Sequence, residues 1–268
     1  MKLSEIYAVA DGLAPKALSD EYCAKYGAYD NSGILVDTGE EIERVLFSLD
    51  LSFAAIEKAV QSGAKLIITH HPAIYGKISD ISTNAFEPLG EKLITCIKNG
   101  ISVIAMHLNL DSVQGGIDES LQEGVTTASR GNTVSAAIMH PLTDGGYGRA
   151  YSIGAITLKE LVKGMEREFR TSKMVVYGDL NERINKAASF CGSGADERAV
   201  EFAVKQGAQV LISSDFKHHV LALALEKGLS VIALTHYASE NYGFEKYYEK
   251  MRQRLAVQCA YHTDTNLL

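Results

Sequence analysis

The sequence lacks the cysteine patterns of disulfide-linked and zinc-binding domains. Its four cysteines lie far apart and form no C-x-x-C pair: Cys23, Cys96, Cys191 and Cys259. Disulfide frameworks and structural zinc sites need closer or recurring cysteines. We therefore expect reduced thiols in a cytoplasmic protein.

The sequence also lacks a membrane segment and an excess of positive charge. No apolar run approaches the roughly 18 residues that a bilayer span needs. Glu5 and Asp11 interrupt the N-terminal segment, which is typical of an amphipathic helix and not of a secretory signal. With 26 basic and 33 acidic residues the net charge is −7. That charge argues against a membrane protein or a general nucleic-acid binder.

Short apolar runs alternate with helical patterns along the 268 residues, and this alternation predicts an α/β fold with mostly parallel sheets. Two copies of a strand–helix–strand–helix–strand unit are present, because SGAKLIITHH matches QGAQVLISSD and NGISVIAMH matches KGLSVIALT. We predict two domains, residues 1–128 and 129–268. The glycine-rich stretch around Gly145, Gly146 and Gly148 is expected to be rich in loops.

Polar side chains follow three of the predicted strands. They are His70 and His71, then His107 and Asp111, then His236 and Glu240. The carboxyl ends of parallel strands form one edge of a sheet, where ligands bind. We therefore expect these groups to converge.

Each group has an alternative interpretation. Neighbouring histidines on a strand point to opposite faces, so His70 and His71 serve one site only if the strand ends there, as Pro72 favours. His107 is also typical of a buried, hydrogen-bonded histidine. His236 and Glu240 share a helix face, but so does an ordinary surface pair.

The combined set has a coherent ligand chemistry. Imidazole nitrogen with carboxylate oxygen, and no thiolate, suits Zn²⁺, Mn²⁺ or Fe²⁺. Five such groups exceed the needs of one tetrahedral ion, so the set favours a pair of ions with a bridging carboxylate and a bridging water.

Six ordered motifs resemble those of the YbgI-like (Nif-three-like) dinuclear metal-centre family, whose members are often labelled GTP cyclohydrolase I type 2 homologues. The motifs are DNSGILV, ITHHP, HLNLD, CGSGAD, SSDFKHH and LTHYASE, and the resemblance covers about residues 3–260.

The resemblance implies two interlinked α/β domains with the metal site in the cleft between them, where the C-terminal part of the second domain returns. It implies that His70, His71, Asp111, His236 and Glu240 are the metal ligands, whereas His107 and Asn109 line the site or support it. It also implies a homohexamer built as a trimer of dimers.

Two functions follow as hypotheses. The first is a hydrolase with two divalent ions (Zn, Fe or Mn), in which Glu240 bridges the ions and metal-bound hydroxide attacks a nucleotide or another small molecule. The family label points to ring opening of GTP with release of formate. The second hypothesis is a metal-holding or partner-binding regulatory protein without catalysis.

Two other motifs remain open. CGSGAD joins a strand to a helix, so it predicts either an anion-binding turn or a glycine-enabled tight turn. His218 and His219 follow Asp215 at a predicted helix start and belong either to the pocket or to a solvated first turn.

Overall fold

The computed structural model describes residues 1–78, 81–84, 86–132 and 135–268. Its helices are α1 Leu3–Leu13, α2 Lys16–Tyr26, α3 Phe53–Ser62, α4 Leu89–Lys98, α5 Leu108–Ser112, α6 Ile117–Ala128, α7 Leu158–Glu168, α8 Glu197–Lys205, α9 His218–Glu226 and α10 His236–Arg252. Its strands are β1 Gly33–Val36, β2 Arg44–Ser48, β3 Leu66–Thr69, β4 Ser102–Ala105, β5 Ala137–Pro141, β6 Gly146–Thr157, β7 Met174–Tyr177, β8 Arg183–Ser189, β9 Val210–Ser213, β10 Ser230–Leu234 and β11 Gln258–His262.

The chain divides into two compact units. The first consists of Met1–Val113 and Phe244–Thr263, and the second of Gln114–Gly243 and Asp264–Leu268. The domain division at residues 1–128 and 129–268 is inferred from the sequence repeat and stays a prediction.

The first unit contains a five-stranded sheet in the order β1-β4-β3-β2-β11. All its neighbouring strands are parallel except β1, which runs antiparallel to β4. Helix α3 begins where Ser52 accepts a hydrogen bond from the amide of Ala55 and ends at Gly63 in the left-handed conformation (φ +71°). Ile56 on its inner face and Ile67 of β3 belong to the same buried hydrophobic cluster. The predicted β-α-β-α-β order of this segment is confirmed.

The second unit contains a six-stranded sheet in the order β5-β6-β8-β9-β10-β7. Strands β8, β9 and β10 are parallel and alternate with α8 and α9, as the repeat predicts. Strands β5, β6 and β7 pair antiparallel, so this sheet is mixed.

The glycine-rich stretch forms the hairpin of β5 and β6, where the sequence predicts loops. Gly148 lies at φ +74°, and a side chain there would meet the ring of Phe190. Glycine is used here because the strand is packed too closely for a Cβ atom. In the described part of the chain no helix combines the length and the hydropathy that a membrane span requires.

Candidate metal centre

Strand β3 ends at Thr69, and this ending brings both following imidazoles to one side. The amides of His70 and His71 donate to the carbonyl of Leu49 over 3.1 and 3.0 Å. The two ring centroids lie 4.8 Å apart. The end of the strand removes the alternation that would otherwise send neighbouring side chains to opposite faces.

Three imidazoles of the first unit form a cluster, composed of His70, His71 and His107. One ring nitrogen from each lies within 4.8 Å of the other two. His107 precedes the short helix α5, and Asp111 lies one turn further along, with its Oδ1 3.4 Å from Nε2 of His70. We call His70, His71, His107 and Asp111 together the imidazole cluster.

The Nδ1 atom of each imidazole in the cluster has a fixed oxygen partner. His70 Nδ1 lies 2.7 Å from the carbonyl oxygen of Met106. His71 Nδ1 lies 2.7 Å from Oδ1 of Asp50, and His107 Nδ1 lies 2.7 Å from Oδ1 of Asp30. An oxygen that accepts from Nδ1–H selects the tautomer whose Nε2 carries the lone pair, which is the usual arrangement of a metal-binding histidine.

The Asp30 carboxylate is stabilised by three hydrogen-bond donors. Burial raises its pKa, but hydrogen bonds from His107, Ser19 and Ser32 outweigh burial and leave the pKa well below the usual range. For His107, burial lowers the pKa, whereas the hydrogen bond to Asp30 and the charge of Asp111 raise it, and the net pKa is raised. Ser32 Oγ also accepts the amide of His107 over 3.0 Å. The DNS segment of the first motif therefore positions His107.

The second unit carries a histidine–carboxylate pair at the start of α10. His236 Nε2 lies 3.1 Å from Oε2 of Glu240, one helical turn later. His236 Nδ1 is bonded to Oδ2 of Asp215, which follows strand β9. Glu240 is buried, with 3% of its surface exposed. This histidine thus has the same Nδ1–oxygen arrangement as the three in the imidazole cluster.

The CGSGAD turn packs against this pair. Gly192 has φ +56°, and a Cβ atom there would collide with Oε1 of Glu240. The amide of Gly192 donates to Ser239 Oγ over 3.0 Å, so the turn is tied to α10. The following helix α8 is capped internally, because Asp196 accepts from the amide of Ala199 over 2.8 Å. These contacts favour the tight-turn interpretation of the motif.

A buried ion pair between Asp118 and Arg149 contacts the CGSGAD turn. Asp118 Oδ1 accepts the amide of Cys191 over 3.2 Å, and its Oδ2 lies 3.0 Å from Nε of Arg149 and accepts the amide of Gly148 over 3.0 Å. Asp118 is fully buried, and a buried charge persists only where partners of this kind compensate its desolvation.

The remaining histidines lie elsewhere. His218 and His219 begin α9, and His219 Nε2 makes an exposed pair with Oε1 of Glu197 at 2.9 Å. This favours the solvated-turn interpretation for His219. Sequence reasoning missed Asp30, Asp50 and Asp215 as partners of histidines. Asp50 and Asp215 each follow a strand of a parallel pair, which is the signal that could have identified them.

The donor set fits a divalent transition-metal ion. Imidazole nitrogen and carboxylate oxygen are borderline and hard ligands, and the described clusters contain no thiolate. Four histidines present Nε2 with Nδ1 anchored, which is the outer-shell support that metal-binding histidines need. The residues could therefore hold a metal ion.

Comparison with known proteins gives a consistent result. The family model described as Duf34/NIF3 (NGG1p interacting factor 3) matches residues 1–266. A Clostridium perfringens protein named GTP cyclohydrolase 1 type 2 homolog is 32% identical over 95% of this chain and 93% of its own. The solved structure of reduced HcgD from Methanocaldococcus jannaschii is 27% identical, with a TM-score of 0.79 and 97% of each chain covered.

A Bacillus cereus protein related to NIF3 has the same fold at 19% identity, with a TM-score of 0.80 over 99% of this chain and 98% of that one. The α/β fold with two sheets that the sequence predicts is thereby confirmed. Because the family model covers nearly the whole sequence, the chain belongs to the Duf34/NIF3 family.

Proposed function

We propose that this protein is a metal-dependent hydrolase with a dinuclear centre. The proposed ligands are His70, His71, Asp111, His236 and Glu240, and the ions are two divalent cations, Zn, Fe or Mn. Glu240 is the proposed bridging carboxylate. The proposal extends the possible metal site to ligands from both units, in agreement with the family resemblance.

The observation that carries this proposal is the shared orientation of the histidines. His70, His71 and His236 each have Nδ1 bonded to a carbonyl or carboxylate oxygen. An imidazole that served only as packing or as a surface charge would not need the same nitrogen anchored each time. Divalent ions bound by these residues would lower the pKa of a water ligand and supply hydroxide near neutral pH.

The protein's own residues would perform three tasks. The anchored imidazoles hold their Nε2 atoms without reorganisation, because Asp50 and Asp215 fix the rings. Gly192 lets the backbone approach Glu240 closely and so restricts that carboxylate. His107, bonded to Asp30, keeps 18% of its side chain exposed and would contact a substrate bound next to His70 and His71.

The names of the relatives direct the choice of substrate. Proteins named GTP cyclohydrolase 1 type 2 homolog resemble this chain over nearly its full length. We therefore propose hydrolytic ring opening of GTP or a related nucleotide. One water adds at ring carbon C8 and breaks one carbon–nitrogen bond to give a formamide, and a second water breaks the remaining carbon–nitrogen bond and releases that carbon as formate. The alternative is a metal-holding or partner-binding regulatory protein, which would bind the ions without turnover.

Metal uptake tests the centre. Purified apoprotein titrated with Zn²⁺, Mn²⁺ or Fe²⁺ should take up two ions per chain, and Glu240→Ala and His71→Ala should each weaken uptake at least tenfold. The matched control is His219→Ala, which removes a histidine that pairs with Glu197 at the surface. An unchanged titration in Glu240→Ala would contradict the proposed ligand set.

Turnover tests the hydrolase. The metal-loaded protein should release formate from GTP, and Glu240→Ala should not. If the loaded protein binds two ions but hydrolyses neither GTP nor generic phosphoesters and amides, the regulatory alternative replaces the hydrolase.

We also propose that the chain forms a homohexamer, a trimer of dimers, in the cytoplasm. The family resemblance carries the assembly, and the four cysteines, present as thiols, agree with a reducing compartment. Light scattering should give a mass near six times 29.1 kDa. A monomeric mass at micromolar concentration would contradict the hexamer.

A further inference from the structure

Two tyrosines of the first unit are exposed beside the imidazole cluster. Tyr29 is 53% exposed and Tyr75 is 61% exposed. Their ring centroids lie 5.5 Å apart, and the planes meet at 87°. Tyrosine is enriched in binding surfaces, so an exposed pair next to a candidate metal site is a candidate contact surface.

The position of the two rings is fixed by polar contacts. The Tyr75 hydroxyl donates to the carbonyl of Tyr29 over 3.2 Å. Asn31 Nδ2 donates to the carbonyl of Ile74 over 2.7 Å, which ties the segment before Tyr75 to the segment after Tyr29. The pair is therefore arranged before any ligand arrives, which reduces the entropic cost of binding.

The pair is also joined to the imidazole cluster. The ring centroid of Tyr75 lies 6.1 Å from that of His107, with the planes at 89°. Asp30, the residue after Tyr29, holds Nδ1 of His107. One short segment thus positions both a tyrosine and the histidine next to it.

Perpendicular rings offer a defined place for a third ring. In an edge-to-face pair, the edge of one ring points at the face of the other. A third flat ring that stacks on the first ring would also present its edge to the face of the second. Stacked and edge-to-face contacts are the two favourable arrangements of aromatic rings. The Tyr75 hydroxyl is already engaged with Tyr29, so recognition takes place through ring faces and not through the phenol oxygen.

We propose that Tyr29 and Tyr75 bind the planar aromatic ring of the substrate and hold it beside His107. This inference rests on the proposed function, because it assigns the specificity of the same centre. It predicts a preference for substrates that carry an aromatic or heteroaromatic ring over those that present only a phosphate and a sugar.

The experiment compares two probes that differ by the nucleobase. Guanosine 5′-monophosphate and ribose 5-phosphate are titrated calorimetrically into the metal-loaded full chain. The nucleotide should bind at least about tenfold tighter, which lies within the usual contribution of base–aromatic stacking. Tyr75→Leu and Tyr29→Leu should each reduce that advantage severalfold, whereas Tyr29→Phe, which keeps the ring and the carbonyl that accepts from Tyr75, should retain it.

Metal content and the thermal midpoint are measured on the same samples. Variants with normal metal content and an unchanged midpoint that lose the advantage support the proposal. Equal affinity of the wild type for both probes, or an unchanged preference in Tyr75→Leu, would contradict the aromatic-ring proposal without contradicting the proposed metal centre. Loss of the assembled form in both leucine variants, with no ring preference in the wild type, would assign the pair to a contact between copies. Absence of metal uptake in the wild type would instead contradict the proposed function.

Discussion

At the scale of the residue, the decisive feature is the oxygen partner of each histidine. Histidine doublets and H-x-x-x-E spacings occur in many proteins. A carbonyl or carboxylate oxygen that accepts a hydrogen bond from Nδ1 leaves Nε2 as the nitrogen that can bind a metal ion. Asp50, Asp30 and Asp215 provide that partner for His71, His107 and His236 in turn. The orientation of the histidines therefore depends on residues that are not themselves among the proposed ligands.

Asp215→Asn tests this dependence. The asparagine amide has nearly the same shape as the carboxylate but makes a weaker hydrogen bond to Nδ1 of His236. The affinity for metal ions should therefore fall by about 10–100-fold, the usual effect of replacing a residue that orients a metal-binding histidine. Competition with a chelating dye measures the affinity. Asp179→Asn is the control, because Asp179 only accepts the amide of Asn181 in an exposed turn. An equal loss in both variants would count against the assignment.

Cys96 gives a prediction about alkaline stability. Burial in the first unit raises the pKa of its thiol to about 11, from an ordinary value of 9.0. Between these values the unfolded chain loses the proton and the folded chain keeps it, so the free energy of unfolding must fall as pH rises from 9 towards 11. In urea unfolding at pH 8 and pH 10.5, Cys96→Ala should lose less stability between the two pH values than the wild type. Identical losses would refute the assignment.

Sequence reasoning predicted the candidate ligand residues but not the hydrogen-bond partners of the histidines. His70, Asp111 and Glu240 stand out because imidazole and carboxylate groups follow apolar strands. An aspartate such as Asp50 or Asp30 is read from sequence as a turn residue, since nothing in its neighbours shows which distant ring it contacts. Only the fold brings Asp30 to His107, which lies 77 positions away.

At the scale of the element, close backbone contacts fix helix positions. Gly164 in α7 lies so near the carbonyl oxygen of Ala128, at the end of α6, that a Cβ atom would collide with it. Gly12 in α1 has open space around its Cα atom. Both glycines lie in helices, where alanine is the intrinsically better residue.

Alanine substitutions should therefore act in opposite directions. Gly164→Ala should destabilise the protein by about 1–3 kcal/mol, as overpacking does. Gly12→Ala should stabilise it by up to about 1 kcal/mol, because only the helix propensity changes. Urea unfolding of both variants measures the difference. Stabilisation by Gly164→Ala would show that α6 and α7 can move apart freely.

The parallel strands and their helices were predictable because each carries local signals. Strands β3 and β4 are buried four-residue segments with three apolar residues each, and α3 has both a serine N-cap and a glycine C-cap. Strand β6 was not predictable in the same way. Its glycines read as loop signals, and its pairing with β5 and β8 depends on contacts that no short window of sequence contains.

At the scale of the whole molecule, each unit has a hydrophobic core that contains none of the proposed metal ligands. The first unit buries a cluster around Leu46, Ile67 and Val103, and the second buries one around Phe190 and Leu211. A chain of this length buries enough surface to fold without a metal. The ions, when bound, would add stability only through mass action.

Removal of the metal should therefore leave a folded protein. Chelator-treated wild type and Asp111→Ala should both keep a cooperative thermal transition, and added metal should raise the midpoint of the wild type by several degrees more than that of the variant. Circular dichroism measures both transitions. Complete unfolding of Asp111→Ala at room temperature would show that the centre is structural.

Strand β11 gives the molecule a particular order of assembly. It pairs in parallel with β2, from Gln258 against Arg44 to His262 against Ser48, so the sheet of the first unit borrows its outer strand from the far end of the chain. During synthesis the edge of β2 must wait, with unpaired peptide groups, until residue 262 has left the ribosome. Such an exposed edge invites pairing with other chains. A truncated product that ends at Val113 would lack this strand and would leave β2 as the outer strand of the sheet.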